Sequence, residues 1–149
     1  MPTQHQVNNK LLNAVQEGDI EKIRKALLQG ADINCQADNG WTALLWAVHL
    51  GRHYVVEFLV EQGAEINLQN KVDNTALIWA AFWRRYETVR YLLDKRADIS
   101  LKNKRGKTVV DYLLEQWEDS PEREEILSLL RERYPEEVML WHLDNGLKL

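Results

Sequence analysis

Gly30-Ala31-Asp32-Ile33-Asn34 returns 33 residues later as Gly63-Ala64-Glu65-Ile66-Asn67, and after the same interval as Arg96-Ala97-Asp98-Ile99-Ser100. In the same register Thr42-Ala43-Leu44-Leu45-Trp46-Ala47 returns as Thr75-Ala76-Leu77-Ile78-Trp79-Ala80, then as Thr108-Val109-Val110-Asp111-Tyr112-Leu113. Two motifs recurring in phase are the signature of a repeat architecture. Gly18 and Gly51 keep the interval. So do the sets Ile23, Ala26, Leu27; Val56, Leu59, Val60; and Val89, Leu92, Leu93. Each set has the i, i+3, i+4 spacing of one helix face.

Within a unit, Thr42 reads as the N-cap of an inner helix running to about Leu50 and broken by Gly51. An outer helix follows from Tyr54 to Gln62, closed by Gly63. Leu44, Ala47 and Val48 then face Val56, Leu59 and Val60. The small Ala47 and Ala80 let neighbouring inner helices approach closely. One such pair cannot bury both its faces, so the stack supplies the core and its ends need caps.

At this point the sequence resembles the ankyrin-repeat family, whose unit is a β-turn and two antiparallel helices, with a Thr-Pro-Leu-His-x-Ala start and a Gly-Ala-Asp-x-Asn end. The resemblance covers about residues 8 to 133. Both full repeats depart from it. Ala43 and Ala76 stand where the family has proline, and Leu45, Ile78 and Asp111 occupy its histidine position. A lost Thr-to-His hydrogen bond is expected to loosen the loop-to-helix junction, with burial of Leu or Ile as the replacement.

The expected fold is an all-α solenoid of stacked helix-turn-helix units joined by β-turn or hairpin loops, with an extra short C-terminal helix. It divides into an N-terminal capping repeat (8–36), two repeats (37–69 and 70–102), a modified C-terminal capping repeat (103–133) and an appended helix or tail (134–149). In the first unit polar Gln6, Asn8 and Asn9 replace the loop. In the last, a four-residue insertion near Glu118-Asp119-Ser120-Pro121 precedes a strong helix start, with Ser120 as N-cap and Pro121 at the first helical position. The segment Val138-Met139-Leu140-Trp141-His142-Leu143 is too short to be a stable free helix. It reads as docked on the last repeat, with folding on a partner as the alternative.

Composition narrows the function. The chain has 149 residues, six tryptophans against two phenylalanines, and a formal charge of −4. No stretch approaches the roughly 20 apolar residues that span a bilayer, and the polar start lacks a secretory signal. The expectation is a cytoplasmic protein that is a monomer when free; a eukaryotic adaptor fits, as does a bacterial protein, including an effector delivered into a host cytosol. One cysteine, Cys35, excludes an internal disulfide, and a lone thiol with scattered histidines makes no conventional zinc site. Charge is uneven, at −3 over residues 1–70, +6 over 71–107 and −7 over 108–149. The basic middle can attract an acidic partner, although a solvated face also explains it.

No catalytic constellation is present: no G-x-S-x-G, no phosphate-cradling glycine loop, no H-E-x-x-H. Cys35 reads as structural, since activating it would need His49 or His53 beside it. Glu122, Glu124 and Glu125 read as a helix N-terminal cluster rather than an acid/base pair. No enzyme activity, cofactor or metal is expected.

Residues that the repeat does not require are more informative. His49 and Leu50, Phe82 and Trp83, then Glu115 and Gln116 lie three and four residues after Trp46, Trp79 and Tyr112, on one helix face. In ankyrin-like stacks that face, with the hairpin loops, lines the concave groove that holds partners. Trp41, Asn74 and Lys107 extend it, joined by Asp38, Asn39, Lys71, Val72, Lys104 and Arg105. The candidate partner-binding set is therefore Trp41, Trp46, His49, Leu50, Lys71, Asn74, Trp79, Phe82, Trp83, Arg105, Lys107, Tyr112 and Gln116. Trp46, Trp79 and Tyr112 are expected to stack as a ladder, for which seam packing is a sufficient role. Trp41, Phe82 and Trp83 would form the exposed patch. Trp117 and Trp141 are expected to pack against each other or the cap.

The favoured function is a non-enzymatic protein-binding adaptor, inhibitor or targeting module. Its partner would have an acidic and apolar surface, steered by Lys71, Arg84, Arg85, Lys104, Arg105 and Lys107. A methyl-lysine reader with an aromatic cage is the alternative, for which Glu87 or Asp73 would be the only local carboxylate in the third repeat. Nucleic-acid binding is opposed by the acidic ends. Asn34 and Asn67 match the loop asparagine that can be hydroxylated in ankyrin-like proteins; a side-chain bridge within the loop is sufficient reason for both.

Overall fold

A computed structural model describes residues 1–116 and 118–146. Among the described residues nine α-helices and no strand are assigned: α1 Gln4–Glu17, α2 Ile20–Leu28, α3 Ala43–His49, α4 His53–Glu61, α5 Ala76–Phe82, α6 Tyr86–Asp94, α7 Val109–Glu115, α8 Pro121–Arg133 and α9 Pro135–Asp144. The expected all-α solenoid is what forms. Inner helices α1, α3, α5 and α7 pack in one row; outer helices α4, α6 and α8 pack in a second. Helix α9 contacts both α7 and α8 at the end of the stack. Trp117 lies outside the described residues, and with it the expectation that it meets Trp141.

The repeat register is also the packing register. Leu11, Leu44, Leu77 and Val110 are all buried, as are Ile23, Val56 and Val89. Ala14, Ala47 and Ala80 are buried between adjacent inner helices, where a longer side chain would push the rows apart. Thr42 and Thr75 are buried N-caps whose hydroxyls accept from the Leu45 and Ile78 amides, both at 3.2 Å. Leu45 and Ile78 are themselves buried, so hydrophobic burial fills the place of the missing histidine. Asp111 instead forms a capping box with Thr108 and accepts a 2.6 Å bond from Trp141 Nε1, which ties α9 to the last inner helix.

Two expectations are corrected at the loops. Gln6, Asn8 and Asn9 do not replace a loop; they lie in α1, which starts behind a Thr3–Gln6 capping box. Asn34 and Asn67 do not bridge within their own loops. Their Oδ1 atoms accept from the main-chain amides of Glu65 and Asp98, one repeat on, each at 2.9 Å, and Asn8 does the same for Asp32. Gln36 and Gln69 add a parallel row, each donating to the main chain 33 residues ahead, at Gln69 and Lys102. Side-chain bonds therefore fix one loop against the next, in addition to the apolar core.

Positive φ marks a further property of the third unit. Gly18, Gly30, Gly40, Gly51 and Gly63 occupy left-handed positions in the earlier repeats. At the matching positions the third unit has Arg84 (φ 54°), Arg96 (59°) and Asp73 (59°). L-residues adopt this region at a cost of roughly 1–2 kcal/mol, least for Asp, so among the described residues this unit alone has a non-glycine residue at all three turns.

Candidate functional site

Helices α3, α5 and α7 turn one face outward beside three hairpin turns at residues 37–41, 70–74 and 103–107. Each turn is closed by a main-chain bond: Ala37 to Trp41, Asn70 to Asn74 and Asn103 to Lys107. Lys71 N donates to Asn39 O and Lys104 N to Val72 O, so the hairpins stack edge to edge. Side chains rooted on these elements converge because residues three and four apart share a helix face.

At the centre is His49. Its ring lies 5.1 Å from Trp41, 6.0 Å from Trp46, 6.2 Å from Trp79 and 5.2 Å from Trp83, centroid to centroid. Burial among the indoles, and secondarily the Arg85 cation, hold its pKa below the usual histidine value. Trp46 and Trp79 do not stack directly as a ladder. The Trp41 ring enters between them, 4.6 Å from one and 5.7 Å from the other. In the same manner Phe82 lies between Trp79 (5.2 Å) and Tyr112 (5.8 Å). Trp41 is half-buried rather than openly exposed, and the open apolar groups on this face are Leu50, Val72 and Trp83.

A cleft of about 310 Å³ opens between the second and third hairpins, lined by Val72, Asn74, Trp79, Phe82, Asn103, Lys104, Arg105 and Tyr112. Asn74 and Tyr112 are buried at the floor of this cleft rather than on the open surface, and both accept from Asn103 Nδ2 at 2.9 Å. Asn103 was not singled out in the sequence. The signal was present, because Asn70 occupies the same repeat position and makes the same main-chain bonds, its Oδ1 accepting from Val72 N and Asn74 N.

The basic residues separate into two groups. Lys107 is held by Glu115 at 2.7 and 2.8 Å, which raises its pKa, so it is not a free steering charge. Arg84 donates to Gln116 O and faces Glu118; Arg85 donates to His49 O. Lys71, Lys104 and Arg105, all on hairpin tips, have no ion-pair partner among the described residues. Gln116 is exposed and contributes its carbonyl to Arg84.

Elsewhere, Cys35 is buried and its thiol is pushed up to about 11 by that burial and by Asp32. Among the described residues no cluster of His, Cys, Asp or Glu could hold a metal ion, and no helix is long and apolar enough to cross a membrane.

A family model for ankyrin repeats in three copies matches residues 11–103, more than half of the chain. The ankyrin repeat proteins RF_p14 and RF_pd14 of Rickettsia felis are each 47% identical over 45 residues, covering 30% of this chain and 71% and 68% of theirs. The 2-5A-dependent ribonuclease of Mus musculus is 41% identical over 54 residues, or 36% of this chain; the match spans 7% of the ribonuclease.

Proposed function

The chain belongs to the ankyrin-repeat family, and from that premise we propose that this protein-interaction module is non-enzymatic and holds a protein partner along the α3–α5–α7 face, as an adaptor, inhibitor or targeting subunit. The observation that carries the reading is the pairing of open apolar groups with unspent charge. Leu50, Val72 and Trp83 are left exposed on one face, and the hairpin cations beside them have no internal partner among the described residues. Exposed apolar surface is costly unless something covers it, and tryptophan is the residue type most enriched among binding hot spots. Lys71, Lys104 and Arg105 favour an acidic partner and speed its approach.

The methyl-lysine reading has less support. A trimethylammonium group needs an open aromatic box, whereas the four indoles close around His49, and the neighbouring cleft is lined by Lys104 and Arg105.

Trp83→Ala is the clean test, because Trp83 is 40% exposed at the C-cap of α5. With wild type and variant immobilised side by side, captured partners should bind the variant about tenfold more weakly while its circular-dichroism melt is nearly unchanged. Equal affinities would remove Trp83 from the site.

A further inference from the structure

We infer that the cleft between hairpins 70–74 and 103–107 is a selectivity pocket for the carboxylate of an Asp or Glu side chain, presented by an extended segment of the partner beside an apolar residue that contacts Trp83. The inference rests on the proposed groove and assigns one chemistry to one part of it.

Asn103 Oδ1 accepts from the main-chain amides of Arg105 (3.0 Å) and Lys107 (3.1 Å). Main-chain amides only donate, so the orientation of the Asn103 amide is fixed, and Nδ2 is the atom facing the cleft floor. That nitrogen donates to Asn74 Oδ1 and to Tyr112 Oη. The orientation of Asn74 follows in turn. Each accepts from Asn103 through its oxygen, and neither the Tyr112 hydroxyl proton nor the Asn74 amide protons have an acceptor among the described residues. The floor therefore has donors to offer.

The rim has the same sign. Lys104 and Arg105 line the cleft without an ion-pair partner among the described residues, and no Asp or Glu lines it. A cationic side chain would meet two like charges and unmatched donors. A carboxylate brings two acceptor oxygens and a compensating charge, the combination that makes a charge-assisted bond strong. Trp79 and Phe82 form an apolar wall on which the methylenes of Asp or Glu can lie. About 310 Å³ has room for one side chain but not for a helix.

The test is selection from a random dodecamer phage library on four proteins: wild type, Lys104→Glu/Arg105→Glu, Tyr112→Phe and Trp83→Ala, each checked by its circular-dichroism melt. Wild type should enrich Asp or Glu next to a large apolar residue. A synthetic peptide of that consensus should lose about tenfold in affinity when the acid is changed to Asn or Gln. The charge-reversed pair should lose or invert the acidic preference and keep the apolar one. Tyr112→Phe should weaken only the acidic preference, and Trp83→Ala only the apolar one. An apolar consensus without acid on wild type would overturn the pocket and leave the groove standing. An acidic preference that survives charge reversal would also overturn it. Failure to select any peptide on wild type would overturn both readings.

Discussion

The Arg85 guanidinium crosses a repeat boundary to donate to the carbonyl of His49, 3.2 Å away. Arg52, one repeat earlier, makes the same reach to Gln16 O at 2.7 Å. Each arginine closes a carbonyl at the C-terminal end of the preceding inner helix, where an intrahelical partner has run out. The guanidinium passes over a glycine to do so. A Cβ on Gly51 would lie 2.8 Å from Arg85 Cζ.

Gly51→Ala should therefore destabilise in two ways, through a left-handed φ of 68° and through displacement of Arg85. In urea unfolding, the cost of Gly51→Ala should fall by about 1 kcal/mol when it is measured in an Arg85→Ala background. An unchanged cost would mean that Arg85 moves aside freely.

Arg96→Gly should stabilise the chain. Arg96 is exposed at φ 59°, where Gly30 and Gly63 stand in the preceding units. Relief of left-handed strain, less the greater freedom of glycine in the unfolded chain, leaves about 0.5–1 kcal/mol. A higher urea midpoint is the expected result. Arg84→Gly should gain less, because it also removes the bond to Gln116.

Stability should decline in acid partly through His49. Its native pKa is below the usual value because of burial and then Arg85, so the unfolded chain binds the proton more readily. The contribution is complete above the unfolded value of about 6.5 and is lost as pH falls through the lower native one. Urea midpoints for wild type and His49→Gln should diverge in their pH slopes between neutral and mildly acidic buffer. Parallel slopes would show that the imidazole is solvated.

Cys35 should be unreactive in the native protein. With its thiol pushed up to about 11 and its side chain buried, almost none is thiolate at neutral pH, and the thiolate is the nucleophile. Iodoacetamide labelling followed by mass spectrometry should be slow until urea unfolds the first repeats. Prompt labelling of folded protein would contradict this.

The helix pairs and their threonine caps were legible in the sequence because both depend on positions that recur every 33 residues. What lay outside that register was not. The loop residue before each threonine places Trp41 on the groove, but the repeat does not reveal that its ring enters the space between Trp46 and Trp79. The bond from Asn103 to Asn74 joins different positions of adjacent repeats, so no alignment of like with like reveals that Asn74 and Tyr112 sit on the cleft floor. The capping box at Thr3 and Gln6 was present in the sequence but hidden by the polarity of the residues that follow. Net charge marks residues 71–107 as basic. It could not say that Lys107 is neutralised by Glu115 while Lys104 and Arg105 remain available.

The ring of indoles around His49 is also an optical unit. At the spacings of Trp41, Trp46, Trp79 and Trp83, indoles are close enough to exchange excitation, so the four are expected to fluoresce collectively rather than singly. A ligand resting on Trp83 alone would alter light originating from all of them, and a protonated His49 would quench the group from its centre. The groove thus has its own built-in probe, and occupancy can be followed without attaching a dye.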